Sequence, residues 1–100
     1  MSNPFSKLDK VLEHSVRLQV LSILVVNESY DFNSLKETLE LSDGNLATHI
    51  KVLEKEKYIL INKSFIGKKP NTRYRLSEKG KQAFKKHIDA LEAIIKSQKQ

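Results

Sequence analysis

No cysteine occurs anywhere in the sequence. Disulfides and thiolate metal sites are therefore excluded, and the composition fits a reducing compartment, so a cytoplasmic location is expected. No stretch approaches the roughly 20 apolar residues of a membrane span, and the longest apolar run is Ile23-Leu24-Val25-Val26. The opening residues Met1-Ser2-Asn3-Pro4-Phe5 lack a basic stretch followed by an apolar run, which argues against a secretion signal. Repeats, low-complexity segments and internal linkers are missing too, and 100 residues suit one domain. There is no glycine-rich phosphate loop and no nucleophile paired with a base. His14 and His87 have no carboxylate at metal-ligand spacing. Neither metal nor cofactor is expected, and an enzyme is the least supported class.

What remains is a chain with 39% hydrophobic and 30% charged residues, apolar enough for a core and too apolar for a disordered segment. Its net charge of +6 is unevenly placed. Residues 1–56 hold six Lys/Arg against nine Asp/Glu, residues 57–88 hold ten against one, and the last twelve residues balance. A basic block of this kind attracts polyanions, nucleic acid ahead of a membrane surface. The competing explanation is a lysine-rich surface that serves solubility.

The periodicity predicts a short first helix over about 6–13, with Phe5, Leu8 and Leu12 on one face. Ser15 is placed to cap a second helix, in which Val16, Val20, Ile23 and Leu24 recur at helical spacing. Tyr30-Asp31-Phe32 reads as a very short strand. Asn33 or Ser34 caps a short helix ending near Leu39-Glu40, with capping-box spacing from Ser34 to Glu37. Ser42 caps the next helix, whose buried face is Leu46, Ile50 and Leu53. The period then becomes two. Residues 58–65 and 72–76 read as strands joined by a turn at 67–71, with Tyr58, Phe65 and Tyr74 packing the core. Ser77 caps a long last helix on which Phe84, Ile88, Leu91 and Ile95 form a seam suited to another helix.

A short helix, a tight turn and a capped helix make a helix-turn-helix, here over about 33–56, followed by a basic hairpin, or wing, over about 58–76. The expected fold is mostly α with a small β-hairpin, a winged helix-turn-helix with a C-terminal dimerisation helix. The second helix of such a pair enters the major groove of duplex DNA. Its outer face holds Gly44, Asn45, Thr48, Lys51 and Lys55. Asn45 and Thr48 suit base edges, Lys51 and Lys55 suit phosphates or guanine, and Gly44 leaves room for close approach. Ser42 at the helix start, with Lys63, Lys68, Lys69, Arg73 and Arg75 on the hairpin, completes the candidate DNA surface. His49 lies beside the buried face and reads as a part-buried structural histidine. Phe5, Leu8, Leu12, Phe84, Ile88, Leu91 and Ile95 are the candidate dimerisation residues, because a single domain of this size cannot cover the whole last helix. An interaction module whose hairpin meets an acidic protein is the alternative function. RNA binding would call for exposed stacking aromatics, which this pattern does not suggest.

Nearly the whole chain also resembles the small single-domain winged-helix regulators related to the MarR and ArsR groups. The matching stretches are 12–18, 32–39, 41–54, 65–72 and 76–80, and 41–54 (Leu41 to Glu54) and 65–72 (Phe65 to Thr72), in that order and spacing, are the more specific parts. The resemblance implies a dimeric DNA-binding repressor or activator; whether it answers to an effector ligand is not implied. The chain departs from the pattern at Lys57, where the family usually has glycine to take a left-handed helix end. It also has no cysteine of the kind that metal-sensing members use.

Overall fold

A computed structural model describes residues 3–98. The chain runs α1 (Ser15–Val26), β1 (Tyr30–Asp31), α2 (Phe32–Leu39), α3 (Asp43–Lys55), β2 (Ile59–Ile66), β3 (Lys69–Leu76) and α4 (Glu78–Ser97), after a single 3-10 turn at Pro4–Lys7. The three strands form one antiparallel sheet in the order β1-β3-β2. The expected α+β winged helix is what the chain adopts.

The core is one cluster in which α1 gives Val20, Leu21 and Leu24, α2 gives Leu35, and α3 gives Leu46, Ile50 and Leu53. Tyr58, Ile59 and Tyr74 close it from the sheet. The α1 stripe covers less of the helix than its apolar content implies, since Val25 and Val26 at its C-terminal end are exposed.

The N-terminal segment differs most from the sequence reading. In place of a helix over 6–13 there is the 3-10 turn, an extended Leu8, and a turn closed by Leu12 N–H and Glu13 N–H donating to the Asp9 carbonyl. Asp9 diverts the backbone. Its N–H donates to Nδ1 of the buried His87 at 2.9 Å, and its carboxylate accepts from Val11 N–H at 2.8 Å and from the Tyr58 hydroxyl. These bonds fasten the N-terminal arm to α4 and to the start of β2. Burial, then Asp9, raise the Tyr58 hydroxyl above its ordinary pKa. Leu12 thereby enters the domain's own core at 0% exposure, so it does not belong to an outward-facing dimerisation set.

The caps follow the same logic of local oxygen and nitrogen acceptors. Ser42 and Ser77 cap α3 and α4 as expected, accepting from Asn45 N–H at 3.2 Å and Gly80 N–H at 2.9 Å. His14, not Ser15, caps α1 through Nδ1. Asp31, not Asn33 or Ser34, caps α2 by accepting from Ser34 N–H at 3.1 Å, because β1 runs straight into the helix. The bonds from Ser34, opposed by burial and aided by Arg73, lower the Asp31 pKa.

Both helices of the helix-turn-helix end on left-handed residues that are not glycine. Glu40 (φ 54°) closes α2, and Lys57 (φ 64°) closes α3. At each, two bonds form a Schellman pair: Leu41 N–H to Lys36 O with Glu40 N–H to Glu37 O, and Tyr58 N–H to Leu53 O with Lys57 N–H to Glu54 O. Lys57 thus keeps the left-handed geometry that glycine would take there.

Candidate nucleic-acid interface

The α3 helix buries Leu46, His49, Ile50 and Leu53 and leaves Gly44, Asn45, Thr48, Lys51 and Lys55 exposed. Its start is held by the Ser42 cap, and Asp43 pairs with Lys36 at 2.8 Å, which offsets an acid beside the exposed face. The exposed Thr48 hydroxyl donates to Gly44 O at 2.9 Å, so its proton is used within the helix and the oxygen keeps its capacity to accept. A Cβ at Gly44 would meet nothing within 4 Å, so the fold itself does not need glycine there. His49 turns inward. Its Nδ1 accepts from Arg17 Nε at 3.3 Å, and its ring lies 4.1 Å from that of His14. Burial first, then the charges of His14 and Arg17, lower its pKa.

The hairpin that follows carries five Lys/Arg and no acid from Ile59 to Leu76. Its turn is only Gly67-Lys68, shorter than the expected 67–71, and Lys69 and Pro70 already belong to β3. Gly67 supplies the left-handed φ of 64° that a two-residue hairpin turn favours. Alternation puts Ile59, Ile61, Lys63 and Phe65 on the face that fronts the core, across from Leu76, Tyr74, Thr72 and Pro70. Lys63, Lys68 and Lys69 are all exposed.

The family model described as a winged helix DNA-binding domain matches residues 16–95. The chain belongs to this winged helix family. It is 39% identical over 79 residues to the uncharacterized protein MJ0432 of Methanocaldococcus jannaschii, a match covering 79% of this chain and 86% of that protein. The transcriptional regulator homologue from Pyrococcus horikoshii OT3 superposes with a TM-score of 0.81 at 29% identity, over 87% of this chain and 86% of that one. ZitR of Lactococcus lactis, a zinc-responsive MarR family member, shares the fold with a TM-score of 0.67 at 18% identity, over 99% of this chain and 65% of its own.

Not every predicted residue of this winged helix lies on one surface. Arg73 is spent within the domain. Its guanidinium donates to Ser29 Oγ at 2.9 Å and Ser29 O at 3.3 Å, and lies 3.9 Å from Asp31, so it ties β3 to the entry of β1. Arg75 is exposed on the opposite face of the sheet from Lys63, paired in register with Leu60. Phe65, expected in the core with Tyr58 and Tyr74, is 74% exposed, because the strands of the wing outrun the helices that cover their base.

Among the candidate dimerisation residues, Phe5, Ile88 and Ile95 are exposed large hydrophobics, while Leu8, Phe84 and Leu91 are half-buried. Val25 and Val26 join this exposed set, and Val25 faces Phe84 and Ile88 across a groove between α1 and α4. The sequence reading missed them because a continuous Ile-Leu-Val-Val run signals burial without saying in which molecule. The radius of gyration, 15.3 Å, exceeds the roughly 13 Å of a compact 100-residue domain, as an uncovered long helix and a projecting wing require. Among the described residues no helix is long and apolar enough to cross a membrane.

Proposed function

We propose that this chain is a sequence-specific, double-stranded DNA-binding transcriptional regulator that acts as a homodimer in the cytoplasm and has no enzymatic role. One observation carries the reading: the exposed face of α3, with Asn45, Thr48, Lys51 and Lys55, adjoins a hairpin that bears lysines and no acid. A helix fits the major groove, where Asn and Thr can read base edges and lysines neutralise phosphates. The exposed apolar residues of α1 and α4 support pairing of two copies, which would present two such helices to half-sites one DNA turn apart. Family membership and the likeness to the Pyrococcus protein point the same way.

Selection of bound duplexes from a random library tests the reading. Recovery of a near-palindromic motif is the expected result. Binding that does not distinguish recovered from random duplexes would remove sequence specificity. The alternative, a winged-helix interaction module whose hairpin meets an acidic protein, draws on the exposed lysines of the wing; it would bind neither pool.

A further inference from the structure

The tip of the wing is apolar as well as basic. Phe65 is 74% exposed and Ile66 67% exposed, on either side of the Gly67-Lys68 turn from Lys69 and Pro70. Large hydrophobics this open, at the far end of a hairpin, contribute nothing to the core of their own domain. We propose that Phe65 is a wedge that enters the minor groove of duplex DNA beside the α3 site and partly unstacks one base step, bending the duplex. The inference rests on the duplex-binding reading above.

Charge selects the partner. Every ionisable side chain from Ile59 to Leu76 that carries charge at neutral pH is a cation; Lys63 shares the face of Phe65, Lys68 stands in the turn, Lys69 lies opposite Ile66, and all three are exposed. An apolar side chain set among lysines matches a groove that is walled by phosphates and floored by stacked bases. Shape agrees. Phe65 and Ile66 point to opposite faces of the ribbon, so they form a thin edge rather than a flat apolar patch on which another protein could dock. Strand axes alone lie roughly 5 Å apart, so the ribbon as a whole is wider than a groove of about 6 Å, and a side chain at its tip is the part that would enter. Minor-groove proteins insert such apolar side chains between base steps and kink the duplex.

Phe65 is the wedge rather than Ile66 for two reasons. Its ring offers a flat face to an unstacked base. It also lies on the face of the sheet that fronts the helical body, the side on which α3 packs, whereas Ile66 faces away. Pro70 stands opposite Phe65 in register and stiffens the backbone there.

The test uses the duplex most enriched from the random library, labelled at both ends for energy transfer, with the full chain. Wild type should draw the ends together by a bend of roughly 20–90°. Phe65→Ala should bind the same duplex with an unchanged salt dependence, because the lysines remain, yet leave it straight. Phe65→Tyr, which keeps the ring face, should keep the bend. The exposed ring is not part of the core, so none of these variants removes packing. The wedge is overturned if Phe65→Ala bends the duplex as wild type does, if wild type binds and leaves it straight, or if Ile66→Ala alone removes the bend. A change in sedimentation with the bend intact would assign the tip to protein contact and overturn it equally. Failure of wild type to bind any duplex would instead remove the functional reading beneath it.

Discussion

The side chain of Arg17, on α1, donates through Nε to Nδ1 of His49 on the inner face of α3 at 3.3 Å. This bond links the helix that carries the core stripe to the helix that presents Asn45 and Thr48. It requires an unprotonated Nδ1, and burial together with the charges of His14 and Arg17 holds the His49 pKa below its ordinary value of 6.5. In the unfolded chain the imidazole takes its proton as pH falls through about 6.5, before the folded one does. Stability from this group is therefore complete above about pH 6.5 and declines as pH falls toward the lowered folded value. Thermal melts between about pH 7.5 and 5 should show a falling midpoint for wild type. His49→Asn, which keeps an acceptor and loses the titration, should show a shallower fall; equal slopes would exclude His49 as a source.

Lys57 holds a left-handed backbone at the end of α3 that glycine would take without strain. Lys57→Gly should raise stability by up to about 1 kcal/mol, the strain it relieves less the extra freedom glycine gives the unfolded chain. For a domain of this size that is a rise of a few degrees in melting midpoint. A lower midpoint would mean that the Lys57 side chain makes a compensating contact.

Two glycines should respond oppositely to alanine. A Cβ at Gly80 would collide with the Tyr58 carbonyl, the same carbonyl that accepts from Ser77 N–H at 3.0 Å. Gly80→Ala should destabilise by about 1–3 kcal/mol, through overpacking where α4 leaves the sheet. Gly44→Ala has open space and a helical site, so it should stabilise by about 0.5–1 kcal/mol. If α3 approaches DNA closely at Gly44, the same change weakens duplex binding. Filter binding and chemical denaturation of the one variant measure both signs.

Lys68 and Lys69 sit at the turn with no ion-pair partner among the described residues. Replacing both with alanine in a homodimer removes up to four phosphate contacts. The slope of log affinity against log salt should flatten by roughly 2–4 units. An unchanged slope would put the wing off the DNA.

Ile88 and Ile95 are exposed on α4, whereas Leu91 between them is half-buried and belongs partly to the fold. Ile88→Glu with Ile95→Glu should convert a sedimenting dimer to a monomer, lower duplex affinity sharply, and leave the circular dichroism of the helices intact. A wild-type chain that sediments as a monomer at tens of micromolar would exclude pairing through these residues.

Much of this protein is legible along the chain itself. The order of helices and strands, the Ser42 and Ser77 caps, the outward face of α3 and the acid-free hairpin all follow from periodicity, capping chemistry and the placement of charge, which are local properties. Tertiary structure decided the rest, wherever one side chain had two uses of similar local merit. Leu12 became core rather than surface because Asp9, tied to His87 and Tyr58, puts a turn where the first helix was expected. Arg73 became a strand tie rather than a free cation because β1 brings Ser29 and Asp31 beside it. Phe65 became exposed because alternation assigns it a face, while only the reach of the helices decides whether that face is covered so far along the wing. Periodicity reports which side of an element a residue takes; what stands on that side is set by segments tens of residues away.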